Sequence, residues 1–205
     1  MGLYARHILP RLIDLAMGSA TVAADRATLV PLASGRVLEV GIGSGLNLPF
    51  YGRGVERLVG VDPSPALWKL AGHRAAGVPF PLEFHDGSAE HLPADDAAFD
   101  TVVATWTLCS IEDPGAALGE IKRVLVPGGR FLFIEHGRSP DPRVYAWQRR
   151  VTPLWKRLAG GCRLDRSADE LITAAGLHIE RIEAGYAAGP RLFTYRVKGV
   201  ATRPA

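Results

Sequence analysis

The run Arg36-Val-Leu-Glu-Val-Gly41 constrains this chain most, because an apolar strand ends there in three alternate glycines, Gly41, Gly43 and Gly45. Glycines at that spacing remove Cβ atoms, so the backbone can turn tightly and approach a ligand closely. A dinucleotide site would need G-x-G-x-x-G, yet Leu46 stands three residues after Gly43. An NAD oxidoreductase is therefore set aside.

Strands and helices alternate beyond this turn. Apolar strands are predicted at 57–62, 81–85, 99–105 and 130–135, the last apolar throughout, as in a strand covered on both faces. Helices are predicted at 65–76, behind Ser64 and Pro65, and from Pro114, capped by Asp113. Others are read at 144–158, interrupted by Pro153, and at 167–175. The runs 177–183 and 192–197 alternate and are near enough in sequence to form an antiparallel pair. The first thirty residues read as helical, with Tyr4, Ile8, Leu12 and Leu15 on one face and Pro10 kinking or restarting the helix. The expected fold class is α/β, a Rossmann-like, doubly wound, mostly parallel seven-stranded sheet with an antiparallel C-terminal strand. One domain, 1–205, is expected, with a helical cover at 1–30 and a basic amphipathic helical insertion at 138–166 after the fifth strand.

Composition narrows the function classes. Hydrophobic residues at 47% and charged residues at 22% fit an ordinary globular protein. A net charge of +3 does not call for nucleic acid. Cys109 and Cys162 make no disulfide framework and no CxxC pair, and the other histidines follow no metal-ligand spacing, so no metal is expected. No apolar run approaches the ~20 residues that span a bilayer. The first eighteen residues carry Arg6, Arg11 and Asp14 and read as neither signal peptide nor anchor, so a cytoplasmic protein is expected.

Open α/β sheets bind ligands at the carboxyl ends of their strands. After the first strand lies Glu39-Val-Gly41-Ile42-Gly43-Ser44-Gly45-Leu-Asn47, and after the second Asp62, Pro63 and Ser64. A carboxylate at Asp62 can accept from both ribose hydroxyls of an adenosine. Gly87-Ser88-Ala89-Glu90 follows the third strand, where an adenine would lie, and Thr105-Trp106-Thr107-Leu108 follows the fourth, beside a reacting group. A glycine-rich turn alone is often only a turn, and a lone Asp often only a cap. Their conjunction in this order is far more specific.

Those pieces resemble a class I S-adenosylmethionine-dependent methyltransferase over nearly the whole chain: VLEVGIGSGLN (37–47), GVDPS (60–64), GSAEHLP (87–93), FDTVVATWTLCSIEDP (99–114) and EIKRVLVPGGRFLFIEHG (120–137). The resemblance implies that Gly41, Gly43 and Gly45 line the amino-acid portion of S-adenosylmethionine, with S-adenosylhomocysteine as product. It implies that Glu39 orders the loop, Asp62 holds the ribose, Pro63 and Ser64 border the adenine, and the Ala89 backbone bonds to it. Ser88 stands where the family often has Asp. As a neutral acceptor it is weaker, and Asp86 is near enough to substitute. LCSIEDP, FIEHG, WQRRVTPLWKRLAGGCRLDRS (147–167) and AGLHIERIEA are similar to the branch of type-11 methyltransferases that holds the mammalian thiol S-methyltransferases. That similarity implies a small, rather apolar acceptor, with a thiol first.

Methyl transfer from a sulfonium is an in-line displacement that needs no metal or electrophile from the protein. His136, at the end of the fifth strand, is the candidate base, with Glu135 or another carboxylate to orient it, although a histidine bonding loop backbone fits equally. Cys109 reads as a packing cysteine behind the pocket, and Cys162 as part of a loop facing the acceptor. The insertion carries Arg138, Arg143, Arg149, Arg150, Lys156, Arg157, Arg163 and Arg166 opposite an apolar face of Val144, Trp147, Val151, Leu154, Trp155 and Leu158. It reads as a helix packed on the core or as a cover over an acceptor pocket. Tyr4, His7, Trp106, Cys109, Trp147, Trp155 and Arg163 are the candidate pocket residues. Two alternatives stay open. One is methylation of a lipid or quinone headgroup, with the basic face making peripheral membrane contact. The other is a non-catalytic scaffold that binds the cofactor. A small-molecule acceptor rather than nucleic acid is expected, in a monomer or a dimer.

Overall fold

The structure, a computed structural model, describes residues 8–205. Tyr4 and His7, set on a pocket wall by the sequence, lie outside the described residues. The elements run α1 (Leu9–Met17), α2 (Ala20–Leu29), β1 (Gly35–Val40), β2 (Val55–Asp62), α3 (Pro65–Trp68), α4 (Gly72–Ala76) and β3 (Leu82–Asp86). They continue as β4 (Phe99–Thr105), α5 (Pro114–Val124), β5 (Leu125–His136), α6 (Pro142–Leu158), α7 (Ala168–Ala174), β6 (His178–Tyr186), α8 (Arg191–Thr194) and β7 (Tyr195–Thr202).

The seven strands form one sheet in the order β3-β2-β1-β4-β5-β7-β6. Pairing is parallel from β3 through β5, and β7 lies antiparallel between β5 and β6. This is the Rossmann-like, mostly parallel sheet that the alternation of strands and helices demands. Strand order reverses between β1 and β4, so the carboxyl ends of those two strands diverge and leave a crevice. The central strands are apolar because both faces are covered. Leu38, Val40, Val102 and Phe131 pack on one side, and Val37, Leu58, Val103 and Leu132 on the other.

Local signals account for the helices that frame the crevice. Pro10 falls in the first turn of α1, where its missing N–H is harmless, so it starts the helix rather than kinking it. Asp113 caps α5 by accepting from the Ala116 N–H at 3.0 Å. Asp25 on α2 is buried and pairs with Arg196 and Lys198 of β7, which ties the helical cover to the sheet.

Three expectations are corrected. Helix α6 runs unbroken from Pro142 to Leu158 with Pro153 inside it, because one missing backbone bond does not outweigh the packing of a 17-residue helix. Residues 192–194 belong to the short helix α8, not to a strand; Pro190 opens a turn there and the Ala187 N–H closes it on the Thr194 carbonyl at 2.9 Å. The third correction is the larger one. The stripe Trp147, Leu154 and Leu158 faces outward, and Ile8, Leu12 and Leu15 near or on α1 are exposed as well. Helix α6 instead buries Gln148 and Thr152. Gln148 is tolerated inside because it accepts from the Ser139 N–H at 2.9 Å and donates to the Gly137 and Leu192 carbonyls.

Candidate active site

Each glycine of the turn after β1 has positive φ: +73° at Gly41, +53° at Gly43 and +72° at Gly45. They are needed for different reasons. A Cβ on Gly41 would lie 2.3 Å from Thr107 Oγ1, and one on Gly45 would lie 2.7 Å from Leu48 and 3.0 Å from Ala71. The protein's own packing therefore requires those two. A Cβ on Gly43 would meet nothing closer than 3.9 Å, and one of its nearest atoms is Asp62 Oδ2. Beside Gly43 the fold keeps a space that no side chain fills.

Asp62 borders that space from the end of β2. It is only 6% exposed, and its two oxygens accept from the Gly43 N–H at 2.9 Å and the Ser64 N–H at 2.8 Å. Each oxygen retains a lone pair for a further donor. Burial raises its pKa, against the pull of the two N–H groups. Pro63 follows it directly. Ile42 turns its side chain under the sheet, where a Cβ on Gly60 would meet it at 2.4 Å, so only its backbone faces the turn. Ser44 is buried, and its carbonyl accepts from Arg74 at 2.8 Å. Arg74 also holds Asp14 of α1 at 2.9 Å, which fastens the helical cover to the glycine turn.

Behind the turn runs a buried polar network. Glu39 accepts from Asn47 Nδ2 at 2.9 Å and from the Tyr51 hydroxyl at 2.7 Å. Asn47 also donates to Thr105 Oγ1 at 3.0 Å and accepts from Arg26 Nε at 2.9 Å. Burial pushes the Glu39 carboxyl up to about 8, opposed by those two donors and by the Arg26 charge. Arg26 lies 4.8 Å over the Trp106 ring, and Trp106 itself has φ +53°, a conformation that bulky residues rarely adopt. Arg26, Tyr51 and Arg74 escaped sequence reasoning. Nothing in the polarity pattern of α2 or of the chain after Asn47 marks them.

The adenine-side candidates are partly engaged. Ser88 Oγ donates to Glu90, and Glu90 accepts from the Asp113 N–H at 3.1 Å, which leaves the Ala89 backbone between them. Leu108 belongs to the hydrophobic core, 1% exposed.

The end of β5 departs from expectation. Glu135 does not orient His136. It is fully buried and accepts from the backbone N–H groups of Thr107, Leu108 and Cys109 at 2.8–3.0 Å, anchoring the loop after β4. Successive strand residues face opposite sides, so His136 points elsewhere. Burial lifts Glu135 to about 6 in spite of the three donors. His136 Nδ1 lies 3.4 Å from Cys162 Sγ and 3.9 Å from Cys109 Sγ. Burial draws the imidazole pKa down, and contact with Cys109 raises it on balance. Cys109 is pushed up, first by its contact with Cys162 and then by burial, while Cys162 is lowered by the same contact. Sequence spacing had not brought these three residues together. Trp155 and Phe193 pack over them, and the Arg163 N–H bonds to the Cys109 carbonyl at 2.9 Å. Trp147, expected on a pocket wall, is 57% exposed on the outer face of α6 with Arg150 over its ring.

Comparison with known proteins bears on this geometry. A family model described as a methyltransferase domain matches residues 38–133. The chain is 33% identical over 174 residues to the thiol S-methyltransferase TMT1A of Homo sapiens, covering 79% of this chain and 70% of that one. It is 38% identical over 140 residues to the thiol S-methyltransferase TMT1B of Homo sapiens, covering 65% and 57%. Against several curated relatives, the chain spans little more than half of their length. Among solved structures, a methyltransferase-fold protein of Bacillus halodurans superposes with a TM-score of 0.72 at 18% identity, over 89% of this chain and 99% of that one.

Proposed function

This chain belongs to the S-adenosylmethionine-dependent methyltransferase family, and from that premise we propose that it transfers a methyl group to the sulfur of a small, rather apolar thiol. The observation that carries the reading is the unfilled space over Gly43, with the Asp62 carboxylate at its edge. A ribose fits a carboxylate with two free lone pairs, and the glycine backbone admits the amino-acid portion of the cofactor. Glu39, Asn47, Thr105 and Arg26 hold the turn rigid from behind, so the crevice is shaped before the cofactor arrives. When bound, the cofactor supplies a methyl group already activated on a sulfonium.

The chain's part is then to hold, align and exclude water. Helix α1, fastened through Asp14 and Arg74 to the glycine turn, covers one side of the crevice. The loop after β4, fixed by Glu135, forms the wall toward β5. A thiol with an ordinary pKa of ~8.5 is partly ionised at neutral pH, so the acceptor needs less help from a base than an alcohol would. The names of the curated relatives support sulfur as the acceptor atom. Incubation with methyl-labelled S-adenosylmethionine and a panel of thiols, phenols, amines and quinols tests this. S-methylated products are expected. Label appearing only on oxygen, nitrogen or carbon would overturn the thiol assignment.

The outward stripe on α6 favours one second reading, a lipid or quinone acceptor met at a membrane surface. Trp147, Leu154 and Leu158 are exposed alongside Arg149, Arg150 and Arg157, and Ile8, Leu12 and Leu15 before and on α1 are exposed as well. No helix among the described residues is long and apolar enough to cross a membrane. Salt-sensitive sedimentation with anionic vesicles supports this second reading, and indifference to vesicles counts against it.

A further inference from the structure

Three elements bring one soft donor each to a single point. Cys109 comes from the loop after β4, His136 from the end of β5 and Cys162 from the loop after α6. Their Sγ and ring nitrogen atoms all lie within 4.8 Å of one another, with Nδ1 at 3.4 Å and 3.9 Å from the two sulfurs. From these distances we propose that Cys109, His136 and Cys162 form a binding site for a thiophilic divalent cation of the zinc class.

The spacing suits such an ion. Bonds of about 2.3 Å to sulfur and about 2.0 Å to nitrogen at tetrahedral angles separate sulfur from nitrogen by about 3.6 Å and the two sulfurs by about 3.8 Å. Only small side-chain rotations separate the cluster from that geometry. Chemistry selects the same class: two thiolates and an imidazole suit zinc, whereas magnesium and calcium require oxygen ligands. Charge balances too. Two thiolates neutralise a dication, so the ion and its three protein ligands together carry no net charge into a buried setting. Binding releases the two thiol protons to solvent.

The surroundings resemble the outer shell that such sites need. Leu164, Trp155, Ala159 and Phe193 enclose the sulfurs in apolar contacts. The Trp155 side chain packs against the two sulfurs, and its buried indole N–H meets no hydrogen-bond partner. Glu135 fixes the backbone that carries Cys109, and Arg163 links its own loop back to that residue. A disulfide would explain the sulfurs and leave the histidine idle. A neutral imidazole Nδ1 offers one proton or one lone pair and so meets one thiol at a time, and Cys109 Sγ has Ser110 Oγ at 3.7 Å beside it, whereas a metal takes all three donors at once.

Three protein ligands leave one tetrahedral position for an outside donor. On the thiol reading above, and resting on it, the acceptor sulfur fills that position and loses its proton to solvent as it binds.

Cobalt(II) titration of the reduced, chelator-treated protein tests the site. One equivalent is expected to bind with sulfur-to-cobalt charge transfer and the visible bands of tetrahedral cobalt, and zinc is expected to displace it. Cys109→Ser and Cys162→Ser should each weaken zinc binding on the order of a hundredfold or more. Absence of the charge-transfer band, or its survival in the double variant, overturns the site. If the variants fail to fold, X-ray absorption of the zinc-loaded parent decides the matter. Two sulfur neighbours at about 2.3 Å support the site, and a shell of oxygen and nitrogen alone overturns it. Thiophenol added to the cobalt form should shift the charge-transfer band. An unchanged spectrum removes the acceptor from the fourth position and leaves the protein ligands standing.

Discussion

The crevice at β1 and β2 and the cluster at the end of β5 lie on the same edge of the sheet but are built on opposite principles. The crevice is made of backbone. Its residues are close in sequence, three glycines set its path, and the side chain that borders its open space is the carboxylate of Asp62. The cluster is made of side chains drawn from positions 109, 136 and 162, and no local conformation dictates that they meet. A donor site of the first kind tolerates changes around it, because its shape is set by φ angles and packing. A site of the second kind can be altered by moving any one of its three segments, and it serves the acceptor only on the reading proposed above. One family can thus keep its donor while its members take different acceptors.

Substitutions can break or sharpen that contrast, beginning with the pair of glycines. Gly41→Ala drives a Cβ into Thr107 from a left-handed backbone, and a loss of about 3 kcal/mol in denaturant unfolding is expected. Gly43→Ala bears only the backbone penalty of about 1 kcal/mol, yet it should weaken cofactor binding because it fills the space beside Asp62. Equal effects of the two on stability would show that packing does not distinguish them. Asp62→Ala should weaken cofactor binding in calorimetry by more than about a hundredfold, the equivalent of two lost charge-assisted hydrogen bonds. Unchanged affinity would remove Asp62 from the donor site.

On the acceptor side, His136→Ala should lower turnover about tenfold or more while leaving cofactor affinity within about twofold. A parallel fall in cofactor affinity would mean that the two regions are one site. Behind the crevice, Glu39 holds its proton up to about 8 in the fold but only to about 4.5 when unfolded. The folded state therefore binds the extra proton between those values. Its contribution to stability is complete below about pH 4.5 and is lost as pH rises through about 8, at up to ~1.4 kcal/mol per pH unit. Thermal unfolding of the cofactor-free protein across that range should show the slope, and Glu39→Gln should flatten it. An identical slope in that variant would place the titration elsewhere. Trp147→Ala, on the outer face of α6, should change stability by less than about 0.5 kcal/mol and leave turnover of a soluble thiol unaltered. A marked loss of turnover would return Trp147 to the pocket.

The donor region was legible because its information is local. Strand, turn and carboxylate follow one another, and alternate glycines have few uses other than a tight approach. Asn47 and Thr105 were read as site residues, and the structure joins them by a hydrogen bond. Their partner Arg26 was not legible. It lies in an alanine-rich helix, where a buried arginine looks like a solvated one until the helix is placed over the sheet. Glu135 was read as the orienter of a histidine, but it anchors three backbone N–H groups, since adjacent strand residues point to opposite faces. Helix α6 misled for a different reason. Its apolar periodicity is genuine, but periodicity names a face without saying which face turns inward, and a fully bonded Gln148 took the inner position.

By itself, the sequence determined the alternation of strands and helices, the glycine turn, the carboxylate after β2 and the cap that starts α5. All of these are matters of short-range backbone preference, set within a few residues. Only the tertiary structure decided the place of β7 between β5 and β6, the burial of Arg26 and the meeting of two cysteines with His136. Those outcomes depend on contacts between residues far apart in the chain, whose energies appear only once the sheet has been assembled and covered.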